Sequence, residues 1–523
     1  MAGKGAQKIT GFNLSIILAL CLGSLTYGYA FSVTSTTLGQ QSWFDYFDLT
    51  QDKKDADRYA YTNRIIGAMN ACFGVGGFLG AIFIGWACDR FGRKVSLMIA
   101  TPIAILGGAL QGGAAHIAMF LIGRILGGFS VGILIVLVPL FQSEIAPPAS
   151  RGFLVSQHGV VVVTGYAIAA WIGVACYFST NHAFQWRFPL SIQSLWPLIM
   201  LILSPFLPES PRWLLMKDRN DEAWQTVLKL HSSGIEDNSD STAFAKEEFY
   251  QMTMQALLPQ ENAVRVHDHV WHRVNWDFGD LQSDYSVLLY QGLGFTVTLS
   301  LILAACYVTV AAIGNYINSV LIDHVGRRLL LVVGMTGCLI STCCLAAMTA
   351  QYTGTDNEAG LRAGVFFMFL FVGFYGCCLD ATSYVFCAEI FPTHIRARGL
   401  GFGVAILFLT VIVYLEAAPT AFAEVGWKYY LLFIILTAIN VPIVWYLFPE
   451  TTGLTLEEIG EKFGDEVAVY ITGLTDDQKA ELDQRIVIEK EGGNAAAAHV
   501  EEKRQDGGSG SSGDIEMRSG TVV

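Results

Sequence analysis

Charge is scarce in this chain. Asp, Glu, Lys and Arg make up 15% of its 523 residues, and hydrophobic residues make up 53%. A soluble globular domain carries roughly 25% charged residues, so the composition excludes one and points to a membrane protein. Basic residues are especially few: 32 Lys and Arg stand against 45 Asp and Glu, a net charge of -13. That balance gives no footprint for nucleic acid. Nor does the acidic surplus mark a partner, since much of it lies in the early loop "SWFDYFDLTQDKKDAD" and in the tail beyond Lys462.

The eleven cysteines include no Cys-x-x-Cys and no ligand-like spacing with His. They read as small hydrophobes within apolar runs, with no disulfide framework, metal site or cofactor. The Gly-rich runs "GFGVAIL" and "GGFLGAIFIG" also lie in apolar segments. Small residues there let helices pack closely, so neither nucleotide binding nor an enzyme is read from them. At the amino terminus, Lys4 and Lys8 precede an apolar stretch without a clear small-residue cleavage site, and this reads as a retained first helix rather than a signal peptide.

Apolar runs are what the sequence has in abundance. A span needs about 20 of them in a row, and lipid offers no backbone partners, so each must be helical. Six are predicted in the first half, near 12–36, 64–86, 95–115, 117–142, 153–178 and 188–207, and five in the second, near 295–322, 329–350, 363–387, 400–422 and 428–448. The expected organisation is an amino-terminal bundle over 1–207, a helical connector over 208–270 containing "DEAWQTVLKLH" and "FAKEEFYQMTMQALL", a second bundle over 271–450, and a largely disordered tail over 451–523 ending in "GGSGSSG".

Basic residues of short loops stay cytoplasmic. Arg90, Arg93 and Lys94, then Arg212 and Lys217, then Arg396 and Arg398 fall on one side if the amino terminus is inside. Arg327 and Arg328 join them only if two crossings lie between about 270 and 322. A seventh span is therefore required, yet "VHDHVWHRVNWDFGDLQSDYSVLLYQGLGF" is a poor sequence for lipid contact. Either a short broken helix, shielded by protein, uses Tyr285 to Leu293, or the true segment is missing and the degraded stretch at about 262–284 is a gene-model error; the second reading is preferred.

Two motifs occur twice. "GWACDRFGRK" (85–94) is matched by "SVLIDHVGRR" (319–328), and "PLFQSEIAPPASRG" (139–152) by "YVFCAEIFPTHIRARG" (384–399). Gly-spaced turns with an Asp and two or three basic residues suit a tight loop, with Asp capping one helix and the arginines meeting the carbonyl-rich end of another. The duplication implies two similar halves with substrate between them.

The same residues carry a resemblance. Asp89 to Lys94, Gly123-Arg124, Glu144 with Arg151-Gly152, "PESPRWL" from Pro208, Asp323 with Gly326-Arg327-Arg328, Glu389 with Arg398-Gly399 and "PETTGLTLEEI" from Pro449 resemble the sugar porter family of the major facilitator superfamily, in the style of fungal hexose transporters. The resemblance runs from about 12 to 463. It implies an all-α polytopic fold of two six-helix bundles, helix seven being degraded or partly missing, and alternating access. It also implies a latch of inter-bundle bonds made by Asp89, Arg93, Arg124, Glu144, Arg151, Asp323, Arg327, Glu389 and Arg398.

The family's sugar contacts match less well. By counting from Arg151, Gly159 stands where a Gln is expected, beside Gln157 and His158; Tyr384 replaces the usual Trp of helix ten; Leu407 and Phe408 occupy the Asn and Trp positions of helix eleven. Polar groups at membrane depth are functional candidates because burial there is costly. The candidates for substrate are Asn70, Gln157, His158, Asn315, Asp380, Thr382, Ser383 and Tyr384. For Asp380 a substrate or proton contact and a bond to neighbouring hydroxyls or a helix break stand level, whereas Asn70 and Asn315 read first as helix-to-helix hydrogen bonders. The family's proton-carrying Asp is Ala30 here, after Gly28-Tyr29, which favours facilitated diffusion unless Asp380 or Glu416 substitutes.

The function expected is carriage of a small neutral sugar, a hexose, across the plasma membrane, by uniport or proton symport, with both termini cytoplasmic. A transporter-like sugar sensor and a non-functional variant lacking most of helix seven are the alternatives.

Overall fold

The structure is a computed structural model, and it describes residues 11–50, 55–147, 150–231, 239–257, 296–352, 357–391 and 395–462. The doubtful seventh helix and the tail beyond 462 lie outside the described residues.

Eleven helices among the described residues are long and apolar enough to cross a membrane, from Gly11–Leu38 to Gly426–Leu447. Six precede the connector and five follow it, as the apolar runs predict. In chain order the helices are α1 (Gly11–Leu38), α2 (Gln41–Tyr46), α3 (Ala56–Phe91), α4 (Arg93–Gly112), α5 (Ile117–Ile145), α6 (Arg151–Tyr177), α7 (His182–Ile192) and α8 (Leu195–Leu203). The connector supplies α9 (Pro211–Met216), α10 (Asn220–His231) and α11 (Ser239–Leu257). The second half contains α12 (Val297–Val325), α13 (Arg327–Tyr352), α14 (Glu358–Phe374), α15 (Asp380–Glu389), α16 (Arg396–Glu424), α17 (Tyr430–Leu447) and α18 (Leu456–Glu461).

Within the first bundle α1 packs on α5 and α6, and α5 on α3 and α4; within the second, α13 packs on α14 and α17. Two long seams join the bundles: α6 lies along α12, and α3 along α16. One apolar core, including Leu134, Val162, Ala305 and Phe408, runs through both.

The paired motifs form matched turns. Gly92 sits at φ +91° between α3 and α4, and Gly326 at φ +95° between α12 and α13, a conformation that side-chain-bearing residues rarely adopt. At each turn a distant carboxylate captures the start of the second helix. Glu209 accepts from the backbone N–H of Arg93 at 2.9 Å and of Lys94 at 3.2 Å. Glu450 accepts from the N–H of Arg327 at 2.9 Å and of Arg328 at 3.1 Å. The "PES" and "PET" segments are therefore N-terminal caps, satisfying amides that a helix cannot satisfy itself.

The connector helices share a small core of their own around Trp213, Leu215, Val227, Ala245 and Met252. His231 pairs with Glu248 at 2.7 Å inside it. The chain after Glu450 is built into this end as far as Lys462, where Thr455 and Glu458 form a reciprocal capping box at the start of α18 and the Gln251 amide donates to the Thr455 hydroxyl at 3.2 Å.

Candidate functional site

The matched turns place charged residues at one end of the bundles, and their pairing is mostly within a bundle. Arg93 on α4 binds Glu144 on α5 through two bonds, of 2.8 and 2.6 Å. Arg327 on α13 binds Glu389 on α15 at 3.1 Å and Asp323 on α12 at 3.0 Å. All four of the arginine and glutamate side chains are buried, where a charge persists only when paired and hydrogen-bonded. Hydrogen bonds and ion pairs also cross between the bundles here. Arg398 on α16 binds Asp89 on α3 at 2.8 Å, and Asp323 accepts from the backbone N–H of Phe153 on α6 at 2.7 Å. Arg151 reaches the carbonyl of Leu454 at 3.1 Å, tying α6 to the chain that follows the second bundle.

This corrects two parts of the expected latch. The hydrogen-bonded pairs of Arg93 with Glu144 and of Arg327 with Glu389 lie within one bundle each, and Glu144 reaches the other bundle through the nearby charge of Arg396 on α16. Arg124 is not at this end: it lies in the first third of α5, twenty residues before Glu144 and so about 30 Å away along the helix. Its guanidinium donates to the carbonyls of Met69 at 3.4 Å and Ala30 at 3.2 Å and stands 4.1 Å over the Phe73 ring. Each carbonyl lies inside a long helix, so Arg124 stitches α1, α3 and α5 together.

The membrane-depth candidates fall into two groups separated by one backbone contact. At Gly159 a Cβ would stand 2.8 Å from Ala381 Cα, so α6 and α15 approach there more closely than a side chain allows. Next to it, the buried His158 presents its ring edge-to-face to Tyr384 at 4.8 Å across the bundle interface. Its Nδ1 is 2.8 Å from the Ser24 hydroxyl of α1, while its Nε2 is buried with no hydrogen-bond partner among the described residues. Three helices thus converge on one imidazole that has an open polar position. Gln142 adds another: its amide N–H donates to Cys21 Sγ at 3.4 Å, one turn from Ser24 on α1, and its Oε1 is buried without a partner among the described residues.

The second group lies between α12 and α15. Asn315 donates to the Asp380 carboxylate at 2.9 Å and accepts from the Ala381 backbone N–H at 3.1 Å. Thr382 donates to Asn318 at 2.8 Å, and Ser383 turns its hydroxyl back onto the Asp380 carbonyl. A single widened turn, Tyr375–Leu379, immediately precedes Asp380, an element found often at functional positions in helices.

The remaining candidates are not brought in. Gln157 donates to the Phe153 carbonyl of its own helix at 2.9 Å, and the half-buried Asn70 lies on α3 beside Met69. Leu407 and Phe408 are buried, and Phe408 fills the space over Gly77 of α3. Glu416 lies in a part of α16 whose side chains are outside the description. Three groups were missed from sequence: Ser24, Gln142 and Asn318. Asn318 had a signal, since Asn315 and Asn318, three residues apart, share one face of a largely apolar helix.

Comparison with known proteins agrees with this fold. The profile of the family described as "Sugar (and other) transporter" matches residues 16–463. An MFS-type transporter, criB, of Aspergillus cristatus is 28% identical over 87% of this chain and 94% of its own length. The sugar transporter STL1 of Saccharomyces cerevisiae is 27% identical over 87% of this chain and 82% of its own. The structure of the proton:xylose symporter XylE bound to 6-bromo-6-deoxy-D-glucose superimposes with a TM-score of 0.75 at 22% identity, covering 87% of this chain and all of that one; at that identity the likeness shows the fold.

Proposed function

Because the chain belongs to the sugar (and other) transporter family, whose members are multi-pass membrane transporters, we propose that it carries a small neutral sugar, a hexose, across the plasma membrane by alternating access. The observation that carries this reading is the convergence of Ser24, His158 and Tyr384 from α1, α6 and α15, with an imidazole nitrogen that has no hydrogen-bond partner among the described residues at the seam between bundles. A hydroxyl is a fitting partner for that nitrogen, and an aromatic edge supplies the apolar contact a sugar ring needs.

In this reading the latch end, with both termini, faces the cytoplasm, in keeping with the basic residues gathered there. The bonds Asp89–Arg398 and Asp323–Phe153 N–H hold the cytoplasmic gate shut, while the buried pairs Arg93–Glu144 and Arg327–Glu389 keep each bundle stiff as it tilts. The likeness to relatives named as sugar transporters supports the sugar assignment. The test is uptake of labelled glucose by cells lacking their own hexose carriers. Saturable uptake that unlabelled hexose competes away supports the reading; signalling from the cell surface without uptake would instead assign the chain to the sensors.

A further inference from the structure

We propose that Asp380 carries a proton through the transport cycle, so that sugar entry is coupled to proton entry; the proposal rests on the transport reading above. The carboxyl lies inside the membrane span Arg362–Glu389 and is 6% exposed. Among the described residues, one side chain, Asn315, bonds its oxygens.

Charged groups on the neighbouring elements are committed elsewhere. Arg327 of α13 is held by Asp323 and Glu389, Glu144 of α5 by Arg93, and Arg398 of α16 by Asp89. Arg396 of α16 donates through Nε to the Phe391 carbonyl at 2.9 Å and its charge acts on Glu144 of α5, and Arg328 of α13 lies against Trp445. Arg151 of α6 reaches Leu454, and His324 of α12 bonds the Val320 carbonyl of its own helix. Arg124 of α5 serves Met69 and Ala30. Glu389, at the latch end of α15, is nine residues on from Asp380, about 13 Å along the helix. The titratable groups nearer by are neutral donors and thiols: His158 and Tyr384 at the seam, Cys377 and Cys378 in the widened turn, and Cys338 across on α13.

An ionised carboxylate without a cation at this depth is costly. The same group with a proton bound is neutral and still accepts from Asn315 through its carbonyl oxygen. The cycle is balanced as one proton taken from water by a carboxylate oxygen on the outer side, carriage of the neutral acid together with the sugar, and release of that proton to water inside. The empty carrier then returns with the carboxylate.

The structure also supplies the link between proton and solute. Asn315 bonds both the Asp380 side chain and the Ala381 N–H, and Ala381 is where α6 touches α15 at Gly159, beside His158. A change in the Asp380–Asn315 bond is therefore felt at the sugar position within one residue.

Reconstituted vesicles test this. With one proton per sugar, an inward gradient of one pH unit should drive labelled glucose in the wild type to an accumulation ratio approaching about tenfold. Asp380→Asn should bring that ratio to about one at whatever exchange rate it retains, and Asp380→Glu should restore part of it. Accumulation by Asp380→Asn equal to wild type, or wild-type exchange without accumulation, would overturn the proposal. Absence of any hexose exchange in the wild type would instead count against the sugar reading. In that case, or if Asp380→Asn neither exchanges nor accumulates, infrared titration of the purified protein decides. A titrating carboxylic-acid carbonyl band lost in Asp380→Asn supports the proton role, and its absence from the wild type overturns it.

Discussion

Asp89 and Arg398 form a side-chain ion pair that joins the two bundles at the latch end, 2.8 Å apart, and the arginine is 67% exposed. Their neighbours Arg93 and Glu144 are 1% and 0% exposed and join two helices of a single bundle. The two pairs look alike in sequence and differ by burial, and burial decides what each contributes. An exposed pair is worth about 0–1 kcal/mol. Asp89→Asn should thus leave folding intact and shift the balance between outward- and inward-open states by up to about fivefold. Cysteine labelling of residues lining the inner cavity measures this: greater labelling in Asp89→Asn is the expected result, and unchanged labelling would show that the pair does not hold the gate.

For the buried pairs the expectation is different in kind. Removing one partner leaves an uncompensated charge at a cost of about 3–5 kcal/mol. Glu144→Ala and Glu389→Ala should each abolish a monodisperse peak in detergent or lower the melting temperature by many degrees. Arg93→Lys should rescue little, because a point charge cannot reproduce the two-bond fork. Melting within a degree or two of wild type would refute the bracing role.

The eleven spans could be read from sequence because a long apolar run in lipid has one helical solution, and the doubled motifs marked the turns for the same reason. The latch partners could not be read, because a duplicated sequence offers each arginine an equivalent acid in its own bundle and in the other. Only packing shows that Arg93 and Arg327 stay at home. Arg124 misled through its adjacency to a family motif: composition shows a cation near the start of an apolar run, and not that it meets the carbonyls of Met69 and Ala30. Ser24 and Gln142 left no mark at all, since a lone hydroxyl or amide in an apolar run gains meaning only from what the fold sets opposite it.

The caps at the two turns differ in their titration. Burial pushes Glu209 above the usual glutamate range despite bonds from the Ser210, Arg93 and Lys94 amides. Burial acts the same way on Glu450, but there the Thr452 hydroxyl, 2.6 Å away, with the amides of Arg327, Arg328 and Thr452 outweighs it and holds the group below that range. A depressed folded value means stability that is present above the unfolded value of about 4.3 and is lost as pH falls through the folded one. A raised value means the reverse, a contribution present at low pH and lost as pH rises. At neutral pH, Glu450→Gln should therefore lower the melting temperature more than Glu209→Gln, and the gap should close on acidification. Equal losses at neutral pH would contradict the asymmetry.

Gly159 gives a steric test of the seam. An alanine there would place its Cβ 2.8 Å from a backbone atom, Ala381 Cα, and backbone cannot yield as a flexible side chain can. Gly159→Ala should separate α6 from α15, at about 1–3 kcal/mol, slow transport several-fold and leave the latch bonds in place. Gly364 on α14 is the control: a Cβ there meets nothing within 4 Å, and Gly364→Ala should transport as wild type. A Gly159→Ala variant with full transport would mean that the seam opens at this point during every cycle.

His158→Phe isolates the polar role of the imidazole. Phenylalanine keeps a ring against Tyr384 but removes the bond to Ser24 and the open Nε2. If the sugar hydroxyl bonds that nitrogen, the loss is one hydrogen bond of about 0.5–1.5 kcal/mol, so the transport KM should rise by up to about tenfold with the maximal rate little changed. Ser24→Ala, which removes the hydroxyl that orients the imidazole and leaves Nε2 in place, should have the smaller effect, since a positioned ring loses direction before it loses its bond. A KM unmoved in His158→Phe would place the sugar elsewhere in the seam and leave His158 as a packing residue between α1, α6 and α15.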